Sequence, residues 1–91
     1  MPLTQREAEL RQQARALIDV GMLPREVPRS VSGGYGQGDK CALCSAPIGA
    51  DEVEYELESG NQTYRFHFLC HAAWSLECAR AEILASRAKT P

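Results

Sequence analysis

Two short motifs hold the residue types best suited to bind a metal ion. Cys41-Ala42-Leu43-Cys44 is a C-x2-C, and twenty-two residues further on His67-Phe68-Leu69-Cys70 is an H-x2-C. Thiolate sulfur and imidazole nitrogen are common zinc donors, and two correctly spaced pairs make a tetrahedral set of four. The tight turn of a C-x2-C lets two thiolates reach one ion. Residues at i and i+3 in the first turn of a helix point the same way. A helix N-terminus also favours thiolate, because its free amides and positive dipole end stabilise the sulfur charge. The expected ligands are Cys41, Cys44, His67 and Cys70, holding one structural Zn2+.

His71 offers an alternative to Cys70, since Cys41, Cys44, His67 and His71 would form a C2H2 set with histidines at i and i+4. Cys70 is preferred, because the gap greatly exceeds the roughly 12 residues between ligand pairs in C2H2 fingers. The remaining cysteine, Cys78, lies eight residues past Cys70. That is about 12 Å along a helix, too far to share the ion, so it reads as a core residue. Trp74 follows Cys70 by one turn, where it either shields the metal or packs as an ordinary core residue. A plainer reading treats the cysteines and histidines as core residues or the C-x2-C as a redox pair. It does not account for two pairs at zinc spacing.

The elements that must position these residues are partly legible. Thr4-Gln5-Arg6-Glu7 fits a capping box, and Leu10, Ala14, Leu17 and Ile18 share one face, which predicts a helix over about residues 4–20 closed by Gly21. Residues 22–40 hold Pro24, Pro28 and four glycines, and read as a linker or ordered loop. Gly33-Gly34-Tyr35-Gly36-Gln37-Gly38 matches neither the dinucleotide-binding nor the P-loop pattern. Residues 52–58, Glu-Val-Glu-Tyr-Glu-Leu-Glu, alternate strictly and predict a strand with Val53, Tyr55 and Leu57 inward. After the Ser59-Gly60-Asn61 turn, Gln62 to Phe68 alternates again with Tyr64, Phe66 and Phe68 inward, completing a hairpin. From Leu69 to about Arg87 there is no Gly or Pro, and Leu69, Ala73, Leu76, Ile83 and Leu84 trace an apolar helical stripe. There is no internal repeat, and no coiled-coil heptad stands out.

Ninety-one residues allow one small folding unit, whose core alone gives marginal stability, so a staple is expected. The fold class expected is a small α+β zinc-stabilised domain: N-terminal helix, Pro/Gly-rich loop, zinc knuckle, β-hairpin and C-terminal helix. It divides into residues 1–40, the helix and loop, and residues 41–91, the finger. No window approaches the roughly 20 apolar residues of a membrane span. Met1 to Glu7 has no apolar signal segment, so the cytosol is the expected compartment, where grouped cysteines more often hold metal than pair.

The order knuckle, hairpin, ligand-bearing helix resembles the treble-clef zinc finger over roughly residues 41–85, and Cys41, Cys44, His67 and Cys70 are similar to the first zinc half of LIM-type modules. There is no second ligand quartet. The Leu23-Pro24, Gly33-Gly34-Tyr35-Gly36, C-x2-C and H-x2-C-x3-W pattern ending at Trp74 is also similar to that of small bacterial zinc-binding proteins of uncharacterised role. The resemblance implies a fold and a metal site, and no activity.

Four protein ligands close a site that catalytic zinc would leave open to water, so the chain is not expected to be an enzyme. Neither H-E-x-x-H nor a deaminase motif occurs. Charge disfavours nucleic acid: the chain carries −2 overall. Residues 41–66 hold Asp51, Glu52, Glu54, Glu56 and Glu58 against Arg65, a balance of −4. Three thiolates around a divalent ion add −1 beside it. The expected function is a structural-zinc module that binds another protein or itself. A nucleic-acid-binding regulator using Arg6, Arg11, Arg15, Arg25 and Arg29, and a zinc or thiol redox sensor, are the alternatives.

Overall fold

A computed structural model describes residues 4–89; Met1 to Leu3, which entered the leader-segment reading, and residues 90–91 lie outside them. The chain order is α1 (Gln5–Asp19), β1 (Val31–Tyr35), β2 (Val53–Ser59), β3 (Gln62–His67) and α2 (Phe68–Lys89). The fold is α+β, two helices and one antiparallel sheet in the order β1-β2-β3. Among the described residues no helix is long and apolar enough to cross a membrane.

The capping box forms as its residues dictate. The Glu7 amide donates to Thr4 Oγ1 at 3.1 Å and the Thr4 amide donates to Glu7 Oε2 at 3.3 Å, which satisfies two otherwise orphaned donors. α1 buries Leu10, Ala14 and Ile18, and Gly21 turns the chain away at φ 80°. The hairpin also forms. Tyr55 pairs with Phe66 and Leu57 with Tyr64, and Gly60 supplies φ 62° at the first position of a two-residue turn, as a II′ turn requires.

Three expectations are corrected. The Gly-rich stretch is not all loop, because Val31–Tyr35 forms β1 and pairs antiparallel with β2 from Val31↔Leu57 to Tyr35↔Val53. Gly36 then brings the backbone so close to the knuckle that a Cβ there would lie 2.4 Å from the carbonyl oxygens of Ile48 and Gly49. The helical stripe of α2 is also misassigned. Its buried face is Cys70, Ala73, Trp74, Glu77 and Cys78, while Leu69, Leu76, Ile83 and Leu84 are exposed. Within β2, Val53 is 42% exposed, whereas Glu54, expected outward, is only 8% exposed.

One hydrophobic cluster draws on both ends of the chain. Trp74, fully buried, stacks on Phe66 with ring centroids 5.1 Å apart and donates its indole N–H to the Pro24 carbonyl at 2.9 Å, which ties the Leu23-Pro24 segment to α2. Leu10, Ala14 and Ile18 from α1, Leu43 and Ile48 from the knuckle, and Leu57 from β2 complete it. α1 lies along α2 and is fastened there by charge. The Glu77 carboxylate, with its side chain 1% exposed, receives Arg11 Nε at 2.7 Å and Arg15 Nε at 2.9 Å.

Candidate metal centre

The first ligand pair sits in a miniature hairpin. The Cys41 amide donates to the Ala46 carbonyl and the Ile48 amide to the Asp39 carbonyl, closing residues 39–48 on themselves. Inside it Ser45 takes φ 67°, a left-handed conformation rare for residues other than glycine, and its amide donates to the Cys41 carbonyl at 3.0 Å. This turn places Cys41 and Cys44 side by side. The knuckle is fixed to the rest of the fold at two points: the Ala42 amide donates to the Arg65 carbonyl on β3, and Gln13 Nε2 of α1 donates to the Leu43 carbonyl at 2.9 Å.

The second pair straddles the junction of β3 and α2. His67 is the last residue of β3 and Cys70 lies in the first turn of the helix that follows at once. The sulfurs of Cys41, Cys44 and Cys70 and a ring nitrogen of His67 all lie within 4.8 Å of one another. Cys41 and Cys70 are buried, and Cys44 and His67 half-buried. His67 Nδ1 is 3.3 Å from Cys44 Sγ and 3.9 Å from Cys70 Sγ. Donors about 2.0–2.3 Å from a tetrahedral zinc stand about 3.5–3.8 Å apart, which the two His67 separations approach, while the widest separation in the group, up to 4.8 Å, would have to contract around an ion.

The tautomer of His67 follows from its other contact. Nε2 lies 3.2 Å from the Pro47 carbonyl, which can only accept, so Nε2 carries the proton and Nδ1 turns its lone pair toward the sulfurs. Glu52 Oε2, 3.7 Å from the same nitrogen, lies beyond hydrogen-bond distance but puts a carboxylate beside the ring. The thiols compete for one negative charge. The Cys41 thiol is held down to about 4, first by a hydrogen bond from Cys70 and then, against burial, by the amides of Cys44, His67 and Leu43. Cys70 is pushed far above the usual thiol range by that same bond and by burial. The buried Cys41 and Cys70 thiols resist sharing two negative charges without a cation to neutralise them, and a divalent ion among Cys41, Cys44, His67 and Cys70 would meet that need.

His71 lies outside the group of four. Its ring stacks on Tyr55 with centroids 4.6 Å apart, and its Nε2 is buried without a hydrogen-bond partner, which lowers its affinity for a proton. Cys78 is buried, and burial followed by the charges of Glu26 and Glu77 pushes its thiol up to about 11. Sequence reasoning missed the Pro47 carbonyl and Gln13, for which residue type carries no signal. Comparison of the chain with protein families, curated proteins and solved structures finds no match.

Proposed function

We propose that the chain is a non-enzymatic structural-zinc module of treble-clef type, which binds one Zn2+ through Cys41, Cys44, His67 and Cys70 and presents a surface to another protein or to a second copy of itself. The observation that carries this reading is the convergence of four donors within 4.8 Å from segments far apart in sequence. A set of three thiolates and one imidazole fills a tetrahedral zinc, and the metal's role is then to hold knuckle, hairpin and α2 together. Tying β3, the knuckle and α1 around the centre, as the Ala42 and Gln13 bonds do, couples metal binding to the folding of the whole chain.

Arg11 and Arg15, two of the five arginines that a nucleic-acid reading would use, are paired with the buried Glu77 of the same chain, which counts against that alternative. The metal reading is tested by zinc stoichiometry and circular dichroism before and after chelation. One zinc per chain and loss of structure on its removal are expected. A chain that stays folded without metal refutes the structural role. Cys70→Ala is expected to lose the zinc and His71→Ala to keep it, and the reverse result would exchange their roles.

A further inference from the structure

The helix that supplies Cys70 has two apolar stripes, and the fold buries one of them. Opposite the buried face, roughly 150° around the helix at about 100° per residue, Leu69, Leu76 and Ile83 recur at seven-residue intervals with Ala72 and Ala79 between them. That is a short heptad seam, with the large residues at a and the alanines at d; it overturns the expectation of no coiled-coil heptad, because only their exposure separates these residues from the core-facing stripe. The three large side chains are 46%, 49% and 56% exposed, and none joins the hydrophobic core. From Leu69 to Ile83 the seam runs about 21 Å along α2. Exposed apolar surface organised this way marks an interaction site.

We infer that α2 pairs in parallel with α2 of a second copy of this chain along this seam, an inference that rests on the zinc-module reading above and names its partner. Charge selects both the occupant and the orientation. The flanking positions hold Ser75 and Glu82 on the g side and Arg80 and Arg87 on the e side. In a parallel pair each g residue faces the e residue of the following heptad, so Glu82 meets Arg87 of the partner subunit and Ser75 meets Arg80 of the partner subunit, twice over by symmetry. An antiparallel pair would set the e-side arginines against each other. Among the described residues, no salt bridge within the chain engages Glu82, Arg80 or Arg87.

α1 and the sheet pack on the Cys70, Trp74 and Cys78 side of α2. The rest of the chain borders the seam without covering it: Leu69 lines a concavity with Arg6, Cys44 and Val53, and Ala79 and Glu82 line another with Arg25 and Val27, while Leu69, Leu76 and Ile83 stay about half exposed. Alanine at Ala72 and Ala79 lets the helix axes come as near as 8–10 Å, at about the usual packing distance. The half of α2 nearest the metal is already ordered by the core, so association has little helix left to fold.

Sedimentation and native mass spectrometry of the zinc-loaded chain, at concentrations on the order of tens of micromolar, test the inference. A dimer with two zinc ions is expected, and Leu76→Glu with Ile83→Glu is expected to give a monomer that keeps its zinc and its helical signal. Glu82→Arg is expected to weaken the dimer roughly tenfold, and Glu82→Arg combined with Arg87→Glu to restore it. A zinc-loaded monomer, a dimer indifferent to Leu76→Glu and Ile83→Glu, or a charge reversal without rescue would each overturn the parallel seam and leave the metal reading standing. A chain without zinc would overturn the metal reading itself.

Discussion

Glu77→Gln is expected to destabilise the zinc-loaded protein by about 2 kcal/mol. The figure follows from the clamp between α1 and α2, where one carboxylate takes Arg11 at 2.7 Å on Oε2 and Arg15 at 2.9 Å on Oε1. Hydrogen bonds to charged groups contribute about 1.5–3 kcal/mol each. Two would exceed 3 kcal/mol, but the arginine side chains are 27% and 44% exposed, and once released they recover water. Glutamine also keeps one acceptor and the volume of the original side chain. For Glu77→Ala the loss is about 3 kcal/mol, because the buried site is left partly empty. Glu77→Leu, in contrast, is expected within about 1 kcal/mol of the wild type, since replacing a buried charge with apolar volume removes its desolvation cost. In a domain of this size 2 kcal/mol corresponds to about 8–16 °C in Tm. The assay is thermal and denaturant unfolding with zinc in excess. Acid supplies a second readout: burial raises the Glu77 carboxyl's affinity for a proton, but the bonds and charges of Arg15 and Arg11 outweigh it and hold its pKa below 4.5. The stabilisation is therefore complete above pH 4.5 and is lost as pH falls through the folded value, so the gap between wild type and Glu77→Gln narrows on acidification. A Glu77→Gln cost below about 0.5 kcal/mol, or a Glu77→Leu cost equal to that of Glu77→Ala, would refute the reasoning.

Gly36→Ala should cost about 1–3 kcal/mol or more, because the new methyl runs into the Ile48 and Gly49 carbonyls, which are fixed backbone, as well as Ile48 Cγ2; denaturant unfolding of the variant checks it. Ser45→Gly is expected to stabilise the knuckle by up to about 1 kcal/mol, since it relieves the left-handed conformation at φ 67°, and slower zinc release to a chelator is the readout. The Cys78 thiol, raised from its ordinary 9.0 to about 11, holds roughly a hundredth of the usual thiolate near neutral pH. Alkylation of the native protein should therefore spare Cys78 while unfolded protein is modified there readily, as peptide mass spectrometry would show.

The cluster of Cys41, Cys44, His67 and Cys70 was legible in the sequence because a metal site would constrain both residue type and spacing, and these four satisfy both. The hairpin and α1 were legible for similar reasons, through strict alternation in one and the Thr4–Glu7 box in the other. β1 was not, because Gly33 and Gly34 have no side chains to alternate, and the strand exists only by pairing with Tyr55 and Glu54 of β2. The buried face of α2 was hidden by its chemistry. Cys70, Glu77 and Cys78 do not look like a core stripe, and Glu77 can be buried only because two arginines more than sixty residues earlier come to meet it. Once that face was taken, the leucines and isoleucine of the apparent stripe were left to the solvent.

The same clamp sets the order of events during synthesis. Arg15 and Glu77 are separated by 62 positions, and at about 5–20 residues per second the helix that carries Arg15 waits about 3–12 s for its anchor. Through that interval Leu10, Ala14 and Ile18 have only the knuckle and hairpin side of their core and lack α2, and a helix of 15 residues is marginal in water on its own. The knuckle, the hairpin and the cluster of Cys41, Cys44, His67 and Cys70 are complete before Glu77 is added, so that half of the chain can assemble first. The helix made first is the one seated last, and limited proteolysis of ribosome-bound chains halted before and after Glu77 should find α1 protected only in the longer chains.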